Sequence, residues 1–424
     1  MINSFPGYEF VYDDTDKQFH NMYRGTDLGK GGYVYALPGM YGNVALLDVQ
    51  SMHPNSAINM NVFGEYTGRF KELLDARIAI KHGDIETAKT MLGGRLAKYL
   101  HDGMDTTALS NALKIAANSV YGLTSANFDN PFRDIRNKNN IVALRGALFM
   151  RTLQDEIHSR GFTVAHIKTD SIKIPDATPE IIQFVMDFGK EYGYTFEHEA
   201  TYDRMCLVND AVYIAKYTDG SWSATGTQFA VPYVFKKLFS KEEIIFDDMC
   251  ETKSVTSALY LDMNEDLPDV SDYEKEYQKL WKDINNQDLP NDEEMKRKCE
   301  RVEELRELID KGHNYRFIGK VGQFCPIKSG CGGGLLMREK DGKYYAATGS
   351  KGYRWLESEM VSELGKEDNI DRSYYDKMVD EAVKSISEYG DFEWFVSDEP
   401  YISKTPPWGD PDKPRNDSTP FDVR

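Results

Sequence analysis

The sequence predicts an α+β fold, and three segments carry that reading. Residues Val44 to Val49 form a short apolar run rich in strand formers. The stretch from Phe162 to Pro175 alternates apolar and polar residues on both sides of Thr169-Asp170, as a hairpin does. Between them, Asp105-Thr106-Thr107 is a helix start, and Ala108, Leu109, Ala112, Leu113, Ile115 and Ala116 follow at helical spacing. A chain of 424 residues with 41% hydrophobic and 12% aromatic content has enough apolar surface for two or three domains.

The first strand bears Asp48 near its C-terminal end. A carboxylate there is costly unless it is paired or holds a cation. Ser51-Met52-His53-Pro54 must then turn, because Pro54 lacks a donor and restricts His53. Amides freed in such a turn can face a phosphate, although a strand-end Asp also serves simply to cap a turn. Asp84-Ile85-Glu86 reads as a helix N-terminus with acids in the first turn. On the helix after Asp105, Lys114, Asn118 and Tyr121 fall at i, i+4 and i+7 and share one face. An ammonium is a mobile point charge suited to a triphosphate, and a ring beside a small polar group can border a base pair. The same spacing also fits an amphipathic helix with solvated polar groups. Gly122 is expected to end the helix. In the hairpin, Gly161 opens and Pro175 closes the turn-bearing segment, with Asp170 at its tip. Two carboxylates on neighbouring strands can hold a pair of divalent ions for in-line phosphoryl transfer, whereas a lone tip Asp needs only turn chemistry.

No apolar run is long enough to span a bilayer, and no basic-then-apolar N-terminus of the secretory kind is present, so no membrane role is expected. Cys206, Cys250, Cys299, Cys325 and Cys331 show no metal spacing and fit a reducing, cytoplasmic setting. Cys325 and Cys331, flanking Lys328 and Gly330 ahead of Gly332-Gly333-Gly334, read as a tight loop in preference to a weak metal or redox site. The formal net charge of −18 is unusual for a nucleic-acid enzyme, but it is unevenly spread. Residues 1–240 carry about 24 bases against 27 acids, while 241–310 hold about 22 acids against 10 bases. Leu280, Ile284, Val302, Leu305 and Leu308 give that acidic stretch helical spacing; its outer face is either solvated or a surface for a basic partner. Further on, Tyr315–Phe324 and Lys343–Gly349 read as strands, and Tyr374–Tyr389 as an amphipathic helix. Residues 406–424, with five prolines, read as an extended tail.

Taken together, the three segments resemble the motifs of family B DNA polymerases, in that family's order. The family patterns are Asp-x-x-Ser-Leu-Tyr-Pro, Lys-x-x-x-Asn-Ser-x-Tyr-Gly and Asp-Thr-Asp-Ser. Here Lys114 to Gly122 matches the second completely, the first keeps Asp48, Ser51 and Pro54, and the third keeps Thr169, Asp170 and Ser171. Residues Leu73 to Lys81 resemble the fingers helix with its Arg-x-x-x-Lys pair. The resemblance covers roughly residues 30–240, and its wording is closest to phage-encoded members.

That resemblance implies a right-hand polymerase: an antiparallel-sheet palm, short two-helix fingers, a helical thumb and an added C-terminal α/β region. The expected divisions are a link at 1–47, palm at 48–65 and 123–215, and fingers at 66–122. A thumb at 216–310, an extension at 311–405 and a tail at 406–424 complete them. The implied catalytic acids are Asp48 and Asp170, which with Val49 match the positions that hold two magnesium ions, manganese being a substitute. Ser51, Met52, His53, Arg77, Lys81, Lys114 and Asn118 match nucleotide-binding positions. Tyr121, Gly122, Gly31 and Gly32 match positions facing the base pair or template, and Thr169, Tyr213 and Lys216 the primer strand. The implied partners are primer-template DNA and dNTPs. Because only 47 residues precede Asp48, the exonuclease half is expected as a separate polypeptide or absent, so that the chain polymerises without its own proofreading. The expected location is the cytoplasm, that of the host cell if the chain is phage-encoded.

Three departures stand out. His53 replaces the tyrosine under the sugar, Lys168 replaces the first acid of the third motif, and Ala211 replaces the lysine of a Lys-x-Tyr element completed here by Tyr213. Lys216, or the Lys236-Lys237 pair, is expected to supply that last charge. Lys168 and Ala211 also suit a non-catalytic subunit that binds primer-template or scaffolds a replisome, and His53 suits an enzyme with relaxed sugar choice.

Overall fold

The computed structural model describes residues 5–101, 103–134, 137, 140–286 and 292–403. The chain divides into two compact units, one formed by Met1–Gly226 with Ser385–Arg424 and the other by Thr227–Lys384. It is a mixed α+β protein whose strand pairings are all antiparallel among the described residues.

In chain order the first unit contains β1 (Tyr8–Asp13), β2 (Gln18–Tyr23), β3 (Thr26–Asp27), β4 (Val34–Ala36) and β5 (Gly39–Val49). Helices α1 (Met52–Asn59), α2 (Thr67–Lys81), α3 (Ile85–Thr90), α4 (Thr106–Thr124) and α5 (Ile141–Ser159) follow. Then come β6 (His166–Lys168), β7 (Ser171–Ile174), α6 (Pro179–Glu191), β8 (Phe196–Asn209), β9 (Val212–Tyr217) and β10 (Trp222–Thr225). Strands β1 to β3 form a small sheet, and the other seven form a second one in the order β10-β9-β8-β5-β7-β6-β4.

Alternation along β5 decides which way the larger sheet faces. Leu47 and Val49 enter a core shared with Leu148, Leu153 and Ile157 of α5, Ile172 of β7 and Val185 of α6. Helix α5 buries twelve of its residues, so it is apolar nearly all round and covers this face. Period-two geometry sends the intervening Asp48 to the opposite face, where it pairs in register with Ser171 and Glu197. The same register puts His166 and Lys173 on that face too.

Helices α2 and α4 are held by two apolar clusters. One joins Phe63, Phe70, Leu74, Ala117 and Val142, and the other joins Ala76, Ile80, Ala88, Leu96 and Leu113. Helix α4 is capped by Asp105, which accepts from the amides of Thr107 and Ala108, and α3 by Asp84, which accepts from Thr87. The Asp84 segment is thus a helix N-terminus, as expected. Two details of α4 differ from the sequence reading. The helix continues past Gly122 to Thr124, and Ile115 is 66% exposed because the packed stripe runs instead through Leu113, Ala117, Val120 and Tyr121.

The segment from Ser385 returns to the first unit. Arg204 of β8, almost fully buried, pairs with Asp203 and donates to the carbonyls of Trp394, Phe395 and Glu399. Its guanidinium also lies over the Trp394 ring at 4.3 Å.

The second unit holds a five-stranded sheet in the order β14-β13-β11-β12-β15. Its strands are β11 (Glu251–Asp262), β12 (Tyr315–Ile327), β13 (Leu335–Lys340), β14 (Lys343–Ala346) and β15 (Arg354–Glu357). The acidic stretch forms a helical pair, Ser271–Asn286 and Asp292–Asp310, inserted between β11 and β12. The pair falls in the range expected as a helical thumb, 216–310. Strand β11 lies inside that range, and the boundary expected at 310 is bridged because β11 pairs with both β12 and β13. The Gly-rich segment after Cys325 is a tight loop, in which Glu265 accepts from the amides of Gly330 and Gly332. The strand expected at Lys343–Gly349 stops at Ala346, and the helix expected at Tyr374–Tyr389 spans Ser373–Ser387. The tail at 406–424 lies outside the described residues. No helix among those described is long and apolar enough to cross a membrane.

Candidate functional site

The site is built on the polar face of the larger sheet. The turn between β6 and β7 consists of Thr169 and Asp170, with Thr169 in the left-handed region at φ 57°. The amide of Val49 donates to the carbonyl of Asp170 at 2.9 Å, which fastens the tip of the hairpin to the end of β5. Asp48 and Asp170 are therefore brought together, from residues 122 positions apart in sequence. Thr169 is held from the other side, its amide donating to the carbonyl of Tyr33 at 2.9 Å.

Negative charge accumulates here. The carboxyl of Asp48 is pushed up to about 7, first by burial and then by the charges of Asp170, Glu199 and Glu197, while Lys81 acts in the opposite direction. Asp170 is also raised by burial, against which its backbone hydrogen bond and the charges of His53 and Lys114 act. Glu197 and Glu199, both on β8, were not visible as site residues in the sequence. Their one signal is a Glu-His-Glu triplet at the start of a long strand, a pattern that reads equally well as a solvated edge. Glu199 sits where the β5–β8 register shifts, opposite the Leu46/Leu47 step.

Cations approach from the helices. Arg77 Nη1 donates to Ser51 Oγ at 3.0 Å, and Ser51 itself turns the chain from β5 into α1 at φ 54°. No side chain caps the N-terminus of α1. Lys81 Nζ lies 2.7 Å from Glu197 Oε2. Lys114 and Asn118 are exposed on α4. The ring of His53 stacks on that of Tyr121 with centroids 4.9 Å apart and planes 9° from parallel. Tyr121 in turn donates to Asn140 Oδ1 at 3.0 Å, and Asn140 Nδ2 donates to the carbonyl of Lys30. Burial lowers the affinity of His53 for a proton, and its Nδ1 is buried without a hydrogen-bond partner. The Met52 side chain points away from these groups, packed so closely on α5 that a Cβ at Gly146 would lie 2.7 Å from its sulfur.

Gly32 has a structural reason of its own. A Cβ there would lie 2.5 Å from both Thr169 Cγ2 and Thr169 Oγ1, so only glycine lets this loop abut the Asp170 turn. Nothing lies within 4 Å of a Cβ at Gly31 or Gly122.

Deeper on the same face is a buried polar chain. Lys173 Nζ donates to His166 Nδ1 at 3.0 Å, and His166 Nε2 donates to the carbonyl of Asp210 at 3.1 Å. Burial and Lys168 bring Lys173 down to about 8, and burial with Lys173 brings His166 down to about 4. Lys173 also lies 4.9 Å from the centre of the Tyr213 ring. Lys168 itself is exposed.

Lys216 is not an open cation. It is buried, donates to the carbonyl of Ser397 at 2.8 Å and lies 3.1 Å from Asp398 Oδ1, because the returning C-terminal segment packs against β9. It was expected at the primer strand; in this structure its ammonium is engaged within the chain. In the second unit, Lys236 and Lys237 are paired with Asp248 and Asp376.

No protein-family model and no curated protein matches the chain. Among solved structures, the family B DNA polymerase from the hyperthermophilic archaeon Pyrobaculum calidifontis aligns with 89% of this chain at 13% identity and a TM-score of 0.41. The alignment covers 49% of that polymerase, so the chain spans less than two thirds of its length.

Proposed function

We propose that this chain is a template-directed DNA polymerase that adds deoxynucleoside monophosphates to a primer 3′-end and releases pyrophosphate. The observation that carries the proposal is the meeting of Asp48 and Asp170 at adjoining strand ends, faced by Lys81 and Lys114 from two helices. The order of the three sequence motifs supports the same reading. In it the seven-stranded sheet is the palm, α2 to α4 are the fingers, and the second unit takes the thumb's place.

The donor set fits divalent cations. It consists of hard carboxylate oxygens, and the raised proton affinity of Asp48 reflects burial first and then crowded negative charge, which a cation would relieve. Asp48, Asp170 and the Val49 backbone would hold two magnesium ions. When bound, such ions supply activation of the primer hydroxyl and neutralisation of the leaving pyrophosphate. Arg77 and Lys81, one turn apart on α2, bind the triphosphate together with Lys114 and the amides at Ser51 and Met52. The flat His53–Tyr121 pair underlies the sugar and the nascent base pair, with Asn118 beside it. Thr169 and Tyr213 border the primer end, and the loop at Gly31 and Gly32 borders the template.

Single-nucleotide addition to an annealed primer, one template base at a time, tests this. The proposal expects only the complementary deoxynucleotide to be added opposite each base. Addition that ignores the template would refute it. The engagement of Lys216 within the chain favours a second reading, a primer-template-binding subunit without catalysis, which predicts binding and no addition.

A further inference from the structure

Three donors converge on Glu197, and two of them belong to the end of α2. Lys81, the last residue of that helix, lies 2.7 Å from Glu197 Oε2. His82, at its C-cap position, lies 3.0 Å from Glu197 Oε1, which also accepts from Gln50 Nε2. We propose that Glu197 is a latch, holding the phosphate-binding Lys81 against the sheet until a nucleoside triphosphate displaces it. This rests on the reading of the site as a nucleotide site. Glu197 is then a positioning residue that acts through Lys81.

The placement favours a latch over an ordinary ion pair. Glu197 stands in register with Asp48, so its charge adds to the repulsion that already raises the Asp48 carboxyl. Burial opposes the charge on Glu197, but the hydrogen bonds from Lys81, Gln50 and His82 outweigh it and keep the group ionised. The pair is also easily exchanged. Lys81 is 45% exposed and Glu197 24%, so solvent screens the bond and a multiply charged triphosphate can take the ammonium over. Lys81 leaves one anion for another, and its desolvation is compensated at both ends of the move. The latch meanwhile keeps the end of α2 ordered beside Ser51, where Arg77 is already anchored.

The test is calorimetric titration of the full-length chain with dATP in calcium, in the wild type, Glu197→Gln, Lys81→Ala and the double variant. Melting curves establish that each is folded, and Glu197→Asp, which shortens the reach to Lys81, stands in if the Gln variant does not fold. Removing the competing pair is expected to tighten dATP binding about two- to fivefold. No such gain is expected in the Lys81→Ala background. Unchanged or weaker binding in Glu197→Gln, or the same gain without Lys81, would overturn the latch while leaving the nucleotide site intact. Failure of every protein to bind dATP would overturn the nucleotide-site reading and the latch with it.

Discussion

At the scale of single residues, the site buries carboxylates close together, a cost that the fold must tolerate. Asp48 has a folded-state pKa of about 7, against an ordinary carboxyl value of about 3.9 in the unfolded chain. Below pH 4 both states are protonated and no penalty exists. Between pH 4 and 7 the unfolded state ionises first, so stability falls, and above pH 7 the penalty is complete. Asp48→Asn should therefore stabilise the cation-free protein at pH 8 by about 1 kcal/mol, allowing for the solvent that still reaches the group, and leave it unchanged at pH 4. Thermal melts at the two pH values check this. Gly32 offers a sharper steric test. Gly32→Ala places a methyl 2.5 Å from Thr169 and should cost about 1–3 kcal/mol in urea unfolding, whereas Gly31→Ala, with open space around it, should cost little. His53 tests sugar choice. Truncating it to Ala removes the ring stacked on Tyr121 and should raise ribonucleotide incorporation relative to deoxynucleotide in competition assays.

At the scale of elements, the hairpin at 166–174, the cap at Asp105 and the strand with Asp48 near its end were legible in the sequence because each has a strong local signal. Alternation, a capping aspartate and β-branched residues need no tertiary information. What escaped notice was settled between elements. Ile115 sits at a helical position that looks apolar-facing, yet α4 turns that side outward because α2 packs against Leu113 and Ala117. Glu197 became a site residue only through its register with Asp48, and register across 149 positions has no local signature. Strand β11 was hidden for a similar reason, since its first half alternates between intermediate and exposed residues and draws its stability from pairing with β12 and β13. The returning C-terminal segment depends on Arg204, a nearly fully buried cation whose partners are mostly carbonyls. Arg204→Met should cost about 3 kcal/mol by leaving those carbonyls unsatisfied, read as a fall in the denaturation midpoint.

At the scale of the whole molecule, the excess of acids does not oppose the proposed function where it matters. Of the net −18, most arises in residues 241–310, around the helical pair of the second unit, while residues 1–240 are close to neutral. Lys81 and Lys114 act on the acids of the sheet within the first unit and Arg77 lies beside them at Ser51, so the site's balance of charge is set locally and not by the acidic second unit. Binding of primer-template should accordingly weaken about tenfold or more between 50 and 200 mM salt, as measured by fluorescence anisotropy, despite the acidic whole. The central claim is that Asp48 and Asp170 form one catalytic centre, and primer extension on an annealed template with magnesium and all four dNTPs, by the wild type beside Asp170→Asn, tests it most directly. The account predicts template-dependent extension by the wild type and none by the folded variant. Undiminished extension by Asp170→Asn would contradict it.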